Sequence, residues 1–177
     1  MRGKHMKTNR TLMIVAAVAA LFTNNAIAEQ KGHVSYNVST KDTTYTHELN
    51  LTADDAPNHI VRAYEFRRVF PVNAPVLNGV EVAEEWERGL ADRTSGNGTS
   101  KLYKTLMMKN GDKIFAEATA VVVPNSTTGR TDGTYVGKIT RGTGKLTGIT
   151  GFLRGASSFD LKGYNEGSTE WDYSLSE

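Results

Sequence analysis

The chain has 177 residues, of which 38% are hydrophobic and 23% charged, with 21 Lys and Arg against 19 Asp and Glu. This length suits a single domain, and the apolar content is too high for an intrinsically disordered chain. The absence of cysteine excludes disulfides, thiolate metal sites and thiol nucleophiles. The few histidines are dispersed, so we expect neither a bound metal nor a cofactor.

Residues 1–28 have the three regions of a secretory signal peptide. Four basic residues precede an uninterrupted apolar run from Leu12 to Phe22, and Ala26-Ile27-Ala28 is a typical small-x-small cleavage site. The apolar run is shorter than the roughly 20 residues that a membrane-spanning helix needs. We therefore expect a signal peptide over residues 1–28, a mature domain over residues 29–177 that is periplasmic or secreted, and no membrane span after cleavage.

Removal of this leader changes the charge of the chain. The mature chain keeps 17 of the 21 basic residues and all 19 acidic ones, so its net charge is −2. A nucleic-acid partner is not expected, because such binding requires a basic surface.

The mature chain shows short segments in which apolar and polar residues alternate, and no long segment with helical periodicity. In residues 60–70 this alternation places Arg62, Tyr64, Phe66 and Arg68 on one face of a strand. Residues 102–109 and 113–123 predict a hairpin around Asn110-Gly111, a dipeptide typical of type I′ turns. Further strands are predicted over residues 34–38, 134–140, 152–161 and 169–175.

Strands without covering helices must bury their apolar faces against each other. We therefore predict an all-β fold, a single antiparallel up-and-down β-barrel of about eight strands preceded by the signal peptide. Nine of the 17 glycines lie between Gly129 and Gly163. Glycine within a strand indicates a bulge, a bend or a close approach of another group.

The C-terminal third of the chain resembles a known family. Residues 141–160, RGTGKLTGITGFLRGASSFD, are followed by TEWDYSL at residues 169–175. This resembles the end of the allene-oxide-cyclase and dirigent-like barrels, which have a Gly-Thr-Gly turn, a glycine-bearing strand and an alternating final strand. The resemblance implies an eight-stranded barrel with a small apolar cavity, assembly as a homo-oligomer, and in some members the cyclisation or coupling of reactive small molecules. It implies the fold and not a particular activity.

The segment from Val80 to Leu90 carries the first candidate site. If it forms a strand, Glu84, Trp86 and Arg88 share one face. A desolvated carboxylate has a raised pKa and can exchange protons near neutrality, while an arginine can hold an anion. We therefore name Glu84 as a catalytic candidate and Trp86 and Arg88 as ligand-binding candidates. The alternative is that these charged residues form the polar side of a solvated strand or of a single helical turn.

Two further strand faces raise the same question. Glu117 shares a face with Phe115 and is an internal acid if that face lines the lumen, but an ordinary surface residue if it does not. Tyr64 and Phe66, with their neighbouring arginines, form a wall suited to a conjugated or acidic ligand, although arginine side chains also cover barrel exteriors. Glu117 is the second catalytic candidate, and Phe115, Tyr64 and Phe66 are further ligand-binding candidates.

Three functions fit these features. The first is an exported barrel that binds a small hydrophobic or aromatic molecule in its lumen. The second is a cyclase or isomerase that acts on a small hydrophobic substrate, with a lumenal glutamate as acid or base. The third is a structural or partner-binding periplasmic protein whose barrel is filled with side chains. The volume of the lumen and the charged side chains that point into it distinguish these alternatives.

Overall fold

The computed structural model describes residues 29–176, and the predicted signal peptide lies outside the described residues. Ten strands account for most of this part of the chain: β1 (Glu29–Val38), β2 (Thr43–Thr52), β3 (His59–Val69), β4 (Val76–Leu77), β5 (Val80–Thr94), β6 (Asn97–Met108), β7 (Lys113–Asn125), β8 (Arg130–Gly142), β9 (Thr150–Phe159) and β10 (Asn165–Ser176). Short 3₁₀ turns occupy Thr40–Asp42 and Gly144–Leu146. The predicted all-β fold is confirmed. Within residues 29–176 no helix has the length and apolar character needed to cross a membrane.

The sheet is an antiparallel meander that curls into a barrel. From β2 to β10 the strands pair in chain order, apart from the short β4, which pairs only with β5; β1 returns to pair with β10. This leaves β1 and β2 as the two edges, although only residues 39–42 connect them. Five residue steps span at most about 17 Å, so the two edges must lie close together.

Along the described strands the barrel is not closed by a β1–β2 ladder, and nine strands form its continuous sheet instead of the predicted eight or so. Side chains bridge this seam. Asn165 on β10 donates its Nδ2 to the hydroxyl of Tyr45 on β2 at 3.0 Å, and Thr40 donates its hydroxyl to the carbonyl of Asn165 at 3.3 Å.

The predicted β6–β7 hairpin is present, but its turn differs from the expected type I′. Gly111 has a positive φ of 89°, while Asn110 is not among the residues with positive φ. The amide of Gly111 donates to the carbonyl of Met108, and the amide of Met108 donates to the carbonyl of Asp112. The turn therefore needs the left-handed conformation only at its glycine.

One half of the barrel interior is a continuous apolar core. We call this half the covered end, because residues 70–79 fold over it and bury Leu77 completely. Trp171 and Tyr173 on β10 are buried there together, as the alternation of the last strand predicts. The indole of Trp171 donates to the hydroxyl of Tyr36 at 3.1 Å. The core also includes Val82, Leu106, Met108, Ile114, Ile139, Leu146, Ile149 and Leu153.

Candidate ligand-binding site

The other half of the interior is polar and aromatic. We call it the open end; it carries the turns at residues 53–58, 95–96, 126–129 and 160–164. Four cationic side chains, two glutamates, three tyrosines and two phenylalanines point into this half of the interior or lie at its boundary with the apolar core. They are Arg62, Arg68, Arg93, Lys104, Glu85, Glu87, Tyr45, Tyr64, Tyr135, Phe66 and Phe159. So many buried charges must be paired or bind a ligand.

An ionic cluster separates the apolar core from the open end. Glu85 has no exposed surface, and its Oε1 accepts hydrogen bonds from Lys104 Nζ at 2.7 Å and Arg68 Nη1 at 3.1 Å. Its Oε2 accepts from the hydroxyl of Tyr36 at 3.0 Å. Lys104 Nζ also lies 2.5 Å from Glu87 Oε2. Two cations and two carboxylates therefore compensate each other in this layer.

Glu85 and Lys104 are both ionised at neutral pH. Burial raises the pKa of Glu85, but the nearby charges of Lys104 and Arg68 outweigh burial and hold this pKa at about 2. Burial lowers the pKa of Lys104, yet the two carboxylates raise it overall above its ordinary value. Burial and the charge of Glu85 raise the pKa of Tyr36 well above its ordinary value, so this hydroxyl stays protonated and donates its hydrogen bond.

An aromatic wall from β2 and β3 lies above the cluster. The rings of Tyr64 and Phe66 are stacked with centroids 6.0 Å apart, and Tyr45 meets Phe66 edge-on at 5.5 Å. The hydroxyl of Tyr64 donates to Glu87 Oε1 at 3.0 Å. Gly89 on β5 makes room for this ring, because a Cβ at that position would lie 2.1 Å from Cζ of Tyr64. Tyr64 and Phe66 thus face the interior, which is the first of the two orientations that the sequence left open for this face.

Two arginines lie at the outer rim of the open end. Arg62 on β3 is 4% exposed and pairs with Glu48, and its guanidinium lies over the rings of Tyr45 and Tyr64 at 5.4 and 5.1 Å. Arg93 on β5 reaches Ser100 Oγ at 3.4 Å. The Nε atoms of both arginines are buried and have no hydrogen-bond partner within the described residues.

Two cavities meet at these arginines. The inner one, among the aromatic wall, Lys104 and Tyr135, measures about 40 Å³, which is room for about three water molecules. The outer one measures about 490 Å³ and opens between the turns of the open end; we call it the vestibule. Its lining combines apolar Ile60, Phe159 and Leu161 with polar Asn50, Asn58, Ser95, Thr131 and Asp160. Arg62, Arg93 and Phe159 line both cavities and so form the partition between them.

The structure places Glu84, Trp86 and Arg88 on the outer face of the barrel, so the prediction that they line the lumen is wrong. A β-bulge after Val82 inserts one residue into β5 and reverses the faces beyond it, which turns Glu85 and Glu87 inward.

On the outside, Glu84 pairs with Arg67 and accepts from the indole of Trp86 at 2.9 Å, while Arg88 pairs with Glu65 at 2.6 Å. The hydrogen bond from Arg67 lowers the pKa of Glu84, which is the opposite of the expected shift.

Glu117 and Phe115 also face outward. Their strand, β7, buries the alternate residues Ile114, Ala116 and Ala118 instead. Phe115 lies under the guanidinium of Arg141, 4.0 Å from it. The solvated-strand alternative therefore describes these two residues, and neither touches the inner cavity or the vestibule.

Sequence reasoning missed Glu85, Glu87, Arg93 and Lys104. The bulge in β5 concealed the two glutamates, since nothing in the residues around Ala83 marks it. Lys104 did leave a signal, because it interrupts the apolar face formed by Leu102, Leu106 and Met108 on β6. A lysine on the buried face of a strand is unusual and indicates a buried carboxylate partner. Among residues 29–176 no group of three or more acidic or histidine side chains is arranged to hold a metal.

No protein-family model and no curated protein sequence matches the chain. Among solved structures, the chain is similar to the pterocarpan synthase dirigent protein GePTS1, with 13% sequence identity and a TM-score of 0.53. The similarity covers 92% of this chain and 100% of that one. The structural similarity therefore extends well beyond the C-terminal third, to which the sequence resemblance was limited. At this identity the comparison shows the fold alone: the chain has a dirigent-like β-barrel fold.

Proposed function

We propose that this β-barrel binds a small hydrophobic or aromatic molecule in the vestibule at its open end. The observation that carries the proposal is the vestibule itself, a cavity of about 490 Å³ that ends on two inward-facing arginines. Its lining includes apolar Ile60, Phe159 and Leu161 beside polar residues of the surrounding turns. Small-molecule sites commonly have volumes of about 300–1,000 Å³ and combine an apolar lining with a few polar groups that orient the ligand. The dirigent-like fold is consistent with such a site at one end of a barrel.

The ligand's apolar body belongs in the vestibule and not deeper. The covered half of the barrel is filled with side chains, and the inner cavity of about 40 Å³ has room for only a few water-sized molecules. For a larger molecule to pass from the vestibule into the inner cavity, a side chain of the partition, Arg62, Arg93 or Phe159, must move.

A second candidate function is acid–base catalysis on the bound molecule, as a cyclase or isomerase. Glu87 favours it: this carboxylate lines the inner cavity, accepts from Tyr64 at 3.0 Å and lies 2.5 Å from Lys104. A glutamate held between a phenol and an ammonium group can exchange a proton with a substrate that reaches it. In this function Glu87 replaces Glu84 and Glu117 as the candidate catalytic carboxylate.

The proposed site of action is outside the cytoplasm, in the periplasm or the surrounding medium. This part of the proposal rests on the leader pattern of residues 1–28, with its basic start, apolar run and Ala-x-Ala end.

The binding proposal is tested with the neutral fluorescent probe N-phenyl-1-naphthylamine and two variants. Ile60→Trp places a larger ring in the vestibule, while Val136→Trp adds the same ring to an exposed position on the outer face of β8. We expect the probe to fluoresce strongly with wild type and Val136→Trp, and to bind Ile60→Trp at least tenfold more weakly. Absence of binding to wild type, or equal binding to all three proteins, contradicts a ligand site in the vestibule.

A further inference from the structure

Arg93 carries a positive charge that nothing in the described part of the chain neutralises. It forms no ion pair there; its neighbours are the hydroxyl of Ser100 at 3.4 Å and the ring of Phe159 at 4.8 Å. Its Nε is buried and lacks an acceptor. A partly buried cation without an anionic partner destabilises a fold unless a ligand supplies the anion.

Arg62 adds a second donor on the same inner face. Arg93 pairs with Ile60 across the β3–β5 ladder and Arg62 pairs with Ala91, so the two arginines are diagonal neighbours and a small residue faces Arg62. Arg62 Nη2 donates to Glu48, which leaves its buried Nε without a partner. Burial lowers the pKa of Arg93; the nearby Tyr64 opposes this shift, and the charge of Arg62 adds to it.

The acidic groups near the vestibule already have partners. Asp160 itself lines the vestibule, and its Oδ1 accepts from the backbone amides of Lys162 and Tyr164 at 2.7 and 3.0 Å. Asp55 and Asp92 both contact His59, at 2.5 and 2.8 Å. These side chains hold their own turns, so none of them neutralises Arg93.

We propose that the molecule bound in the vestibule is a carboxylic acid with an apolar body, whose carboxylate accepts hydrogen bonds from Arg93 and from Nε of Arg62. This inference rests on the proposed function and narrows it to one class of ligand. The planar guanidinium group matches the two oxygens of a carboxylate. The apolar body of the acid lies against Ile60, Phe159 and Leu161, the apolar part of the vestibule lining.

A matched pair of probes tests the anion site: 4-phenylbutyrate and 4-phenyl-1-butanol share one apolar body and differ in charge. Their affinities are measured by calorimetry for wild type, Arg93→Gln and Arg88→Gln. The last variant is the control, because Arg88 lies on the same strand but faces outward and pairs with Glu65. We expect wild type to bind the acid at least tenfold more tightly than the alcohol, and Arg93→Gln to lose that preference while Arg88→Gln keeps it.

The outcomes separate the two proposals. If acid and alcohol bind wild type equally and both are weakened by Ile60→Trp, the vestibule is a ligand site but the anion site is wrong. If Arg88→Gln loses the preference as much as Arg93→Gln, the effect is one of overall charge and the anion site is also wrong. If neither probe binds wild type, and N-phenyl-1-naphthylamine does not bind either, the proposed function fails together with this inference.

A thermal-shift measurement tests the anion site without the larger probes. Added sodium benzoate should raise the melting temperature of wild type more than that of Arg93→Gln.

Discussion

Replacing Glu85 with glutamine removes the centre of the ionic cluster and keeps the shape of the side chain. In the wild type this carboxylate, with no exposed surface, accepts from both Lys104 and Arg68. In Glu85→Gln the two buried cations share one remaining carboxylate, Glu87. Breaking a buried ion pair by removing one partner costs about 3–5 kcal/mol of unfolding free energy, and we expect a loss in that range.

The pKa of Glu85 gives a second estimate of the same quantity. A carboxyl whose pKa falls from 4.5 to about 2 on folding stabilises the folded state by ~3 kcal/mol at neutral pH. For a domain of this size the loss corresponds to a melting temperature lower by about 10 °C.

The lowered pKa of Glu85 also determines how the stability difference between wild type and Glu85→Gln depends on pH. Because the folded pKa lies below the unfolded one, the stabilisation is complete above the unfolded pKa of about 4.5 and is lost as the pH falls through about 2. The difference between wild type and Glu85→Gln should therefore be full at pH 7 and narrow steadily below pH ~4.5.

Urea unfolding followed by circular dichroism at pH 7, 4 and 2.5 measures this difference directly. Glu117→Gln is the matched control, because this glutamate faces outward on β7, and we expect it to change stability by less than about 0.5 kcal/mol. A Glu85→Gln variant within 1 kcal/mol of wild type, or a difference that stays constant down to pH 2.5, would refute the charge compensation described above.

Three further predictions address other parts of the chain. Gly89→Ala places a methyl group 2.1 Å from the ring of Tyr64, so we expect a loss of about 1–3 kcal/mol in urea unfolding; an unchanged midpoint would contradict this packing. Hydrogen bonds, of which the one with Asp55 has the largest effect, raise the pKa of His59 above 6.5. Protonated His59 therefore stabilises the folded chain below that pH, and this stabilisation is lost as the pH rises through the folded pKa. An NMR titration that places the pKa of this imidazole at or below 6.5 would disprove the contact. Intact-mass analysis of exported protein should show cleavage after Ala28, and export with an intact leader would exclude the predicted site.

The sequence predicted which residues of β3 share a face, and left open whether that face lines the interior. Arg62, Tyr64, Phe66 and Arg68 alternate without interruption, so once one of them faces inward all of them do. For β7 the choice was between two uninterrupted faces, and the smaller, more apolar one is buried. Ala116, Ala118 and Ala120 leave space for the long side chains that enter from β6 and β8.

The inner face of β5 could not be predicted from alternation. Val82 is buried, and regular alternation would make Glu84 the next buried residue. Because of the bulge, the next buried residue is Glu85 instead. A bulge depends on how the neighbouring strand β6 pairs, and that information is not in the β5 segment itself. One inserted residue therefore moved Glu84, Trp86 and Arg88 from the lumen to the surface.

The distribution of unpaired polar atoms connects the packing of the barrel to its proposed function. In residues 29–176 two buried side-chain nitrogens lack a hydrogen-bond partner, Nε of Arg62 and Nε of Arg93, and both belong to side chains lining the vestibule. The ionic cluster, only a few residues deeper, pairs Glu85 with Lys104 and Arg68. Unpaired buried donors destabilise a fold, so packing alone gives no reason to keep them at the rim. The acidic ligand that we propose would supply the missing acceptor and stabilise the folded barrel on binding.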